Sequence, residues 1–159
     1  MEKINKSILV LILLFSIFAL IAAYFIEYIL GHQPCNLCLL ERIPYILAII
    51  VITFSFIFKK NQKIYLILLI LIFTLGALLS FYHFGIEQGF FKESLACATA
   101  DLSENLTKEE LLKQLSENTI SCKDVSFRIL GFSLAAINTI FSIALSVIFI
   151  KLFISYEKN

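Results

Sequence analysis

The sequence predicts an all-α membrane protein, a bundle of four transmembrane helices with both termini cytoplasmic and a long loop between helices three and four on the opposite face. Three observations predict it. Of 159 residues, 60% are hydrophobic and 16% charged, against about 45–50% and about 25% in soluble domains. The apolar residues fall into four blocks, each close to the roughly 20 residues that cross a hydrocarbon core. Lysines collect in the short flanks of one face only, which orients such a chain.

The first block runs from Ile8 to Leu30, with Glu27 near its end. Lys3 and Lys6 ahead of it resemble the basic start of a signal peptide. The apolar stretch exceeds the 7–15 residues of such a peptide, so retention as a membrane helix is expected. The second block runs from Leu39 to Phe58, with Glu41 and Arg42 confined to its first turn. The third, Ile64 to Phe84, holds no Asp, Glu, Lys or Arg, and the fourth runs from Ile129 to Ile154 with Lys151 near its end. Ile and Phe favour strands in water, but a segment crossing lipid must satisfy its own backbone, so all four read as helices.

Lys3, Lys6, Lys59, Lys60, Lys63, Lys151 and Lys158 all flank the spans on one face, which the positive-inside rule makes cytoplasmic. The other face holds a short loop from Gly31 to Cys38 and a long one from about Gly85 to Arg128. Between Gly85 and Phe127 the long loop carries eight acids against four lysines. Within it, Thr107 and Glu110 form a capping box, Leu106 and Leu111 a hydrophobic staple, and Leu111, Leu112 and Leu115 an apolar stripe. A short helix over about 108–117 follows, either a surface helix that only shortens the loop or one that lies on the membrane and controls how Cys97 and Cys122 approach the first pair. The whole chain, 1–159, reads as one integral-membrane domain. A net charge of +1 offers nothing to nucleic acid, and no phosphate loop or Ser/His/Asp pattern is present.

Cys35, Cys38, Cys97 and Cys122 all lie in the two loops opposite the lysines. In a bacterium that face is the periplasm, where disulfides persist. Four cysteines allow three pairings, and spacing does not choose among them. The stretch Pro34-Cys35-Asn36-Leu37-Cys38-Leu39-Leu40-Glu41-Arg42 carries the chemistry. A Cys-x-x-Cys pair at a helix start meets exposed amides that favour the thiolate, the species that attacks a disulfide or an electrophile. With the helix beginning near Cys38, Arg42 lies four residues on along the same face. Its guanidinium would steady a Cys38 thiolate or a ring oxygen gaining electrons. A structural disulfide or half of a zinc site would use the same pair. Zinc prefers a second close pair, whereas 24 residues separate Cys97 from Cys122. Haem attachment would need His after the second cysteine, where Leu39 stands. Arg42 alone would serve as an interfacial anchor. Glu27 sits about two turns before Cys35, and Asn138 is expected to bond to a neighbouring helix; neither is assigned to chemistry.

Around these residues the chain resembles the disulfide bond formation protein B (DsbB) family. The resemblance covers nearly the whole chain: four spans in the same order, Cys-x-x-Cys-x-x-x-Arg heading the second, a cysteine pair in the second loop, and the Phe127-Arg128-Ile129-Leu130-Gly131 entry to the last span. It implies a quinone-dependent thiol oxidoreductase of the bacterial inner membrane. Cys97 and Cys122 would form the disulfide that accepts electrons from a periplasmic DsbA-type partner, Cys97 being the cysteine that joins it. Cys35 and Cys38 would receive the electrons and deliver them to ubiquinone or menaquinone, with Cys38 and Arg42 facing the ring. His83, in the segment Tyr82-His83-Phe84-Gly85-Ile86-Glu87, would lie at the same surface, moving protons at the quinone or only making a hydrogen bond. No resident metal is expected. A vitamin K epoxide reductase-like enzyme ranks lower, because its cysteine pair sits near its last spans. A non-enzymatic scaffold braced by disulfides is the reading from a different class; its bridges would resist mild reductant.

Overall fold

A computed structural model of the chain describes residues 6–58, 62–92, 97, 121–123, 127–129 and 131–158. The expected loop helix near 108–117 lies outside the described residues. Four helical segments are long and apolar enough to cross a membrane. The first is α1 (Lys6–Tyr28); the second is divided into α2 (Asn36–Leu40) and α3 (Ile43–Ile57); the third is α4 (Gln62–Glu87); the last is α5 (Leu134–Lys158).

The division of the second span is a correction to a single helix from Leu39, and Pro44 explains it. Proline has no N–H to give the carbonyl of Leu40, four residues back, and its ring crowds that carbonyl. The chain instead tightens: Glu41 N–H bonds Leu37 O at 2.9 Å, Arg42 N–H bonds Leu39 O at 3.2 Å, and α3 restarts with Ile46 N–H on Arg42 O. The break turns Glu41 inward, where it is 8% exposed. The last span also starts later than Ile129. Arg128–Ile129 (β1) and Phe132–Ser133 (β2) pair antiparallel about Gly131, whose φ of +89° only glycine adopts freely. Ser133 then caps α5 by accepting the N–H of Ala136 at 3.2 Å.

Small residues let the helices approach closely at several inward positions, and many large apolar side chains face outward. Ser16, Ala48, Ser80 and Ser142 are fully buried, while Leu11, Phe18, Leu75, Leu78 and Ile140 point out. Lipid is as apolar as leucine, so helices associate through close backbone approach rather than through hiding leucine from water. Gly76 shows this best, since a Cβ there would stand 3.0 Å from the Pro44 ring. Below that contact, Ile52, Leu66, Leu69, Phe73 and Phe149 fill the core, with the rings of Phe73 and Phe149 stacked at 5.6 Å. At the end opposite the cysteines, Lys63 lies over the Phe153 ring at 5.4 Å.

Candidate active site

Cys35 is the residue before α2, in extended conformation, and its sulfur accepts the N–H of Cys38 at 3.2 Å. The helix therefore begins at Asn36, two residues before the start near Cys38 expected from the sequence, and the Cys38 amide supports Cys35. The capping sulfur itself sets that start. Cys35 and Cys38 form a disulfide with Cα atoms 5.1 Å apart, and Cys97 and Cys122 form the second, with Cα atoms 5.4 Å apart. The two bridges meet. The sulfurs of Cys35 and Cys122 and a ring nitrogen of His83 all lie within 4.8 Å of one another. Leu37 and Ile86 pack over them, leaving Cys35 4% exposed and Cys97 and Cys122 2% each.

A polar chain runs inward from this point. His83, near the end of α4, places Nε2 3.6 Å from Cys35 Sγ and Nδ1 2.6 Å from Glu41 Oε1. Asn138 of α5 donates through Nδ2 to Glu41 Oε2 at 2.7 Å, and its Oδ1 accepts the Tyr45 hydroxyl at 2.5 Å. Glu41 thus accepts on both oxygens, which places a ring proton on His83 Nδ1, while Nε2 faces Cys35. Glu87 adds a second carboxylate, Oε1 standing 3.9 Å from His83 Nε2.

Arg42 does not lie free beside Cys38. Its Nη1 bonds Glu27 Oε2 at 2.6 Å, and its guanidinium sits 4.8 Å from the centre of the Tyr24 ring. Glu27, one residue before the end of α1, is the counter-ion that lets an arginine stay at the edge of the apolar layer. Arg42, Cys38, Cys35, His83, Glu41, Tyr45 and Asn138 all line one cavity of about 320 Å³. His32, Gln33 and Glu87 also line it, and the rest of its wall is apolar, with Phe15, Phe18, Ala19, Ala22 and Ile26 of α1 facing Ile137 and Phe141 of α5. A volume near 300 Å³, apolar walls and a few convergent polar groups are the features of a small-molecule site. A quinone ring would fit such a space, and Arg42 and Cys38 are the residues that would hold it. Cys97 and Cys122 do not reach the cavity and lie behind Cys35.

Sequence reasoning named the four cysteines, Arg42 and His83 but assigned no role to Glu41, Tyr45 or Glu87. Glu41 carried a signal, because an ionisable residue inside a span marks function as surely as Arg42 beside it.

A family model described as "Disulfide bond formation protein DsbB" matches residues 5–152. The chain is also similar to an uncharacterised protein of Rickettsia prowazekii (strain Madrid E), 32% identical over 161 aligned positions that cover 99% of this chain and 93% of that one.

Proposed function

The chain belongs to the disulfide bond formation protein DsbB family and is a disulfide-forming membrane oxidoreductase; from that premise we propose that it reoxidises a periplasmic DsbA-type dithiol protein and passes the electrons to a membrane quinone. The cysteine end of the bundle then faces the periplasm and the lysine-flanked end the cytoplasm of a bacterial inner membrane. One observation carries the reading: the two bridges abut at Cys35 and Cys122, and the first of them opens onto the cavity.

A partner thiolate attacks Cys97, and Cys122 leaves as the thiolate. Cys122 attacks Cys35, and Cys38 leaves as the thiolate into the cavity. The partner's second thiol resolves the mixed disulfide at Cys97, completing its own oxidation. Cys97 then attacks Cys122, restoring the loop bridge and releasing Cys35 as a thiol beside His83. Two electrons and two protons now rest on Cys35 and Cys38. Arg42 holds negative charge at the cavity wall, and the Nε2 lone pair of His83 accepts the Cys35 proton while Glu41 steadies the resulting cation. A quinone held beside Arg42 and Cys38 would supply the acceptor of two electrons and two protons, and Cys35–Cys38 re-forms as the two thiols give these up. A DsbA-type donor has a potential of about −120 mV, whereas structural bridges sit below about −300 mV, so the pull comes from the final acceptor.

The test mixes the purified chain with a soluble quinone and a reduced DsbA-type protein and follows quinone absorbance and partner thiols together. Equal loss of both, abolished by Cys97→Ser, is the expected result. Intact disulfides with no quinone reduction would instead favour a scaffold braced by bridges.

A further inference from the structure

Cys35, Cys122 and His83 gather three metal-ligating atoms within 4.8 Å of one another, all buried. Sequence spacing gave no reason to look for this, because the cysteines come from different loops and different disulfides. The fold supplies the proximity that spacing lacks. We propose that reducing both bridges opens a site for a thiophilic divalent cation of the zinc class, held by Cys35, Cys122 and His83 with Glu87 as the fourth donor.

The distances suit a tetrahedral ion. Zn–S bonds of about 2.3 Å and Zn–N bonds of about 2.0–2.1 Å set an S···N edge of roughly 3.6 Å and an S···S edge of roughly 3.8 Å. Cys35 Sγ and His83 Nε2 already stand 3.6 Å apart. Cys122 must close by at most about 1 Å from its 4.8 Å limit to reach that S···S edge, and reduction frees both sulfurs to do so. Glu87 is an independent pointer. Its side chain is 6% exposed, and its Oε2 is buried without a hydrogen-bond partner among the described residues, a costly state that a cation relieves. His83 is also set as a metal ligand: a metal-bound imidazole donates its other N–H to a carboxylate, as Nδ1 does to Glu41. The cavity lined by Cys35, His83 and Glu87 is the route of entry.

Binding exchanges two thiol protons for one cation and moves no electrons. Held this way, Cys122 cannot attack and Cys35 cannot re-form its bridge, so the ion locks the fully reduced enzyme. That block rests on the proposed relay; the binding does not.

The test uses the full chain in detergent, reduced, freed of reductant and kept anaerobic, with Co²⁺ as the spectroscopic probe and Zn²⁺ as competitor. The reduced chain is expected to take up one ion per chain with thiolate-to-cobalt charge transfer, tetrahedral bands and release of about two protons; the oxidised chain takes up none. Cys38→Ser/Cys97→Ser, reduced, keeps the site. Cys122→Ser loses half the charge-transfer intensity, and Glu41→Gln weakens Zn²⁺ by about 10–100-fold. Binding unchanged in Cys122→Ser, or lost in Cys38→Ser/Cys97→Ser, places the ion on other thiols and overturns the proposal, as does equal uptake by the oxidised chain. Zinc binding as described in a chain that never reduces quinone upholds the site and refutes the relay instead.

Discussion

Cys35 and Cys122 belong to different loops and different disulfides, yet their sulfurs stand within 4.8 Å. Exchange between bridges needs one sulfur to attack another through a mixed disulfide, so this contact is where the two loops would join. The double variant Cys38→Ser/Cys97→Ser removes both original partners and leaves only this pair. It is expected to form an intramolecular Cys35–Cys122 bridge on mild oxidation, in most chains. Proteolysis and mass spectrometry read the linked peptides. Two free thiols in the folded protein, or links between molecules only, would rule the contact out as the transfer point.

Arg42 and Glu27 form a second pair that can be tested apart from the first. Arg42→Ala strips the cavity of its cation and leaves Glu27 in an apolar setting without its 2.6 Å partner. The KM for a soluble quinone should rise by about tenfold or more, equivalent to about 1.4 kcal/mol of lost binding. Thiol exchange with the partner at Cys97 should continue. Glu27→Gln keeps the arginine and should cost less. An unchanged KM in Arg42→Ala would remove the guanidinium from the quinone site.

Asn138 bridges Glu41 and Tyr45, so its loss strands both. Asn138→Ala leaves a carboxylate oxygen and a hydroxyl unpartnered and should lower stability by about 1–3 kcal/mol. Tyr45→Phe removes only the terminal hydroxyl and should cost about 1 kcal/mol. Thermal unfolding in detergent measures both. In the double variant the losses should fall short of additive, because the two share one hydrogen bond. Strict additivity would show that the bond contributes nothing.

The spans were readable because lipid leaves the backbone no alternative to helix, which overrode the strand preference of the Ile- and Phe-rich blocks. Cys35, Cys38 and Arg42 were readable because their chemistry lies within eight consecutive residues. The pairing of Glu41 with His83 and Asn138 was not, since it joins three helices and depends on how each is rotated. Pro44 held part of the answer: it breaks the second span at the turn that aims Glu41 inward. The meeting of Cys35 with Cys122 has no local signal, because loop closure is decided by what packs beneath it. Leu37 and Ile86, which read as ordinary apolar residues, are that packing.

Those two residues yield the last prediction. Cys97 is 2% exposed, and among the described residues Leu37 and Ile86 pack with the loop bridge, so lifting the bridge from them would open its sulfur to a soluble partner. Truncating either side chain removes buried contacts worth about 2–5 kcal/mol in a packed core. Loop docking at a membrane surface is expected to feel the lower part of that range. Ile86→Ala and Leu37→Ala should therefore speed reduction of Cys97–Cys122 by a small soluble dithiol by about tenfold or more, since 1.4 kcal/mol is a factor of ten. Transfer onward to Cys35 should slow in the same variants, because the lifted bridge no longer rests against it. Stopped-flow thiol trapping separates the two steps. Faster first reduction with slower onward transfer identifies Leu37 and Ile86 as the seat of the loop. If both rates stay at wild-type values, the cover is incidental and the partner gains access by another route.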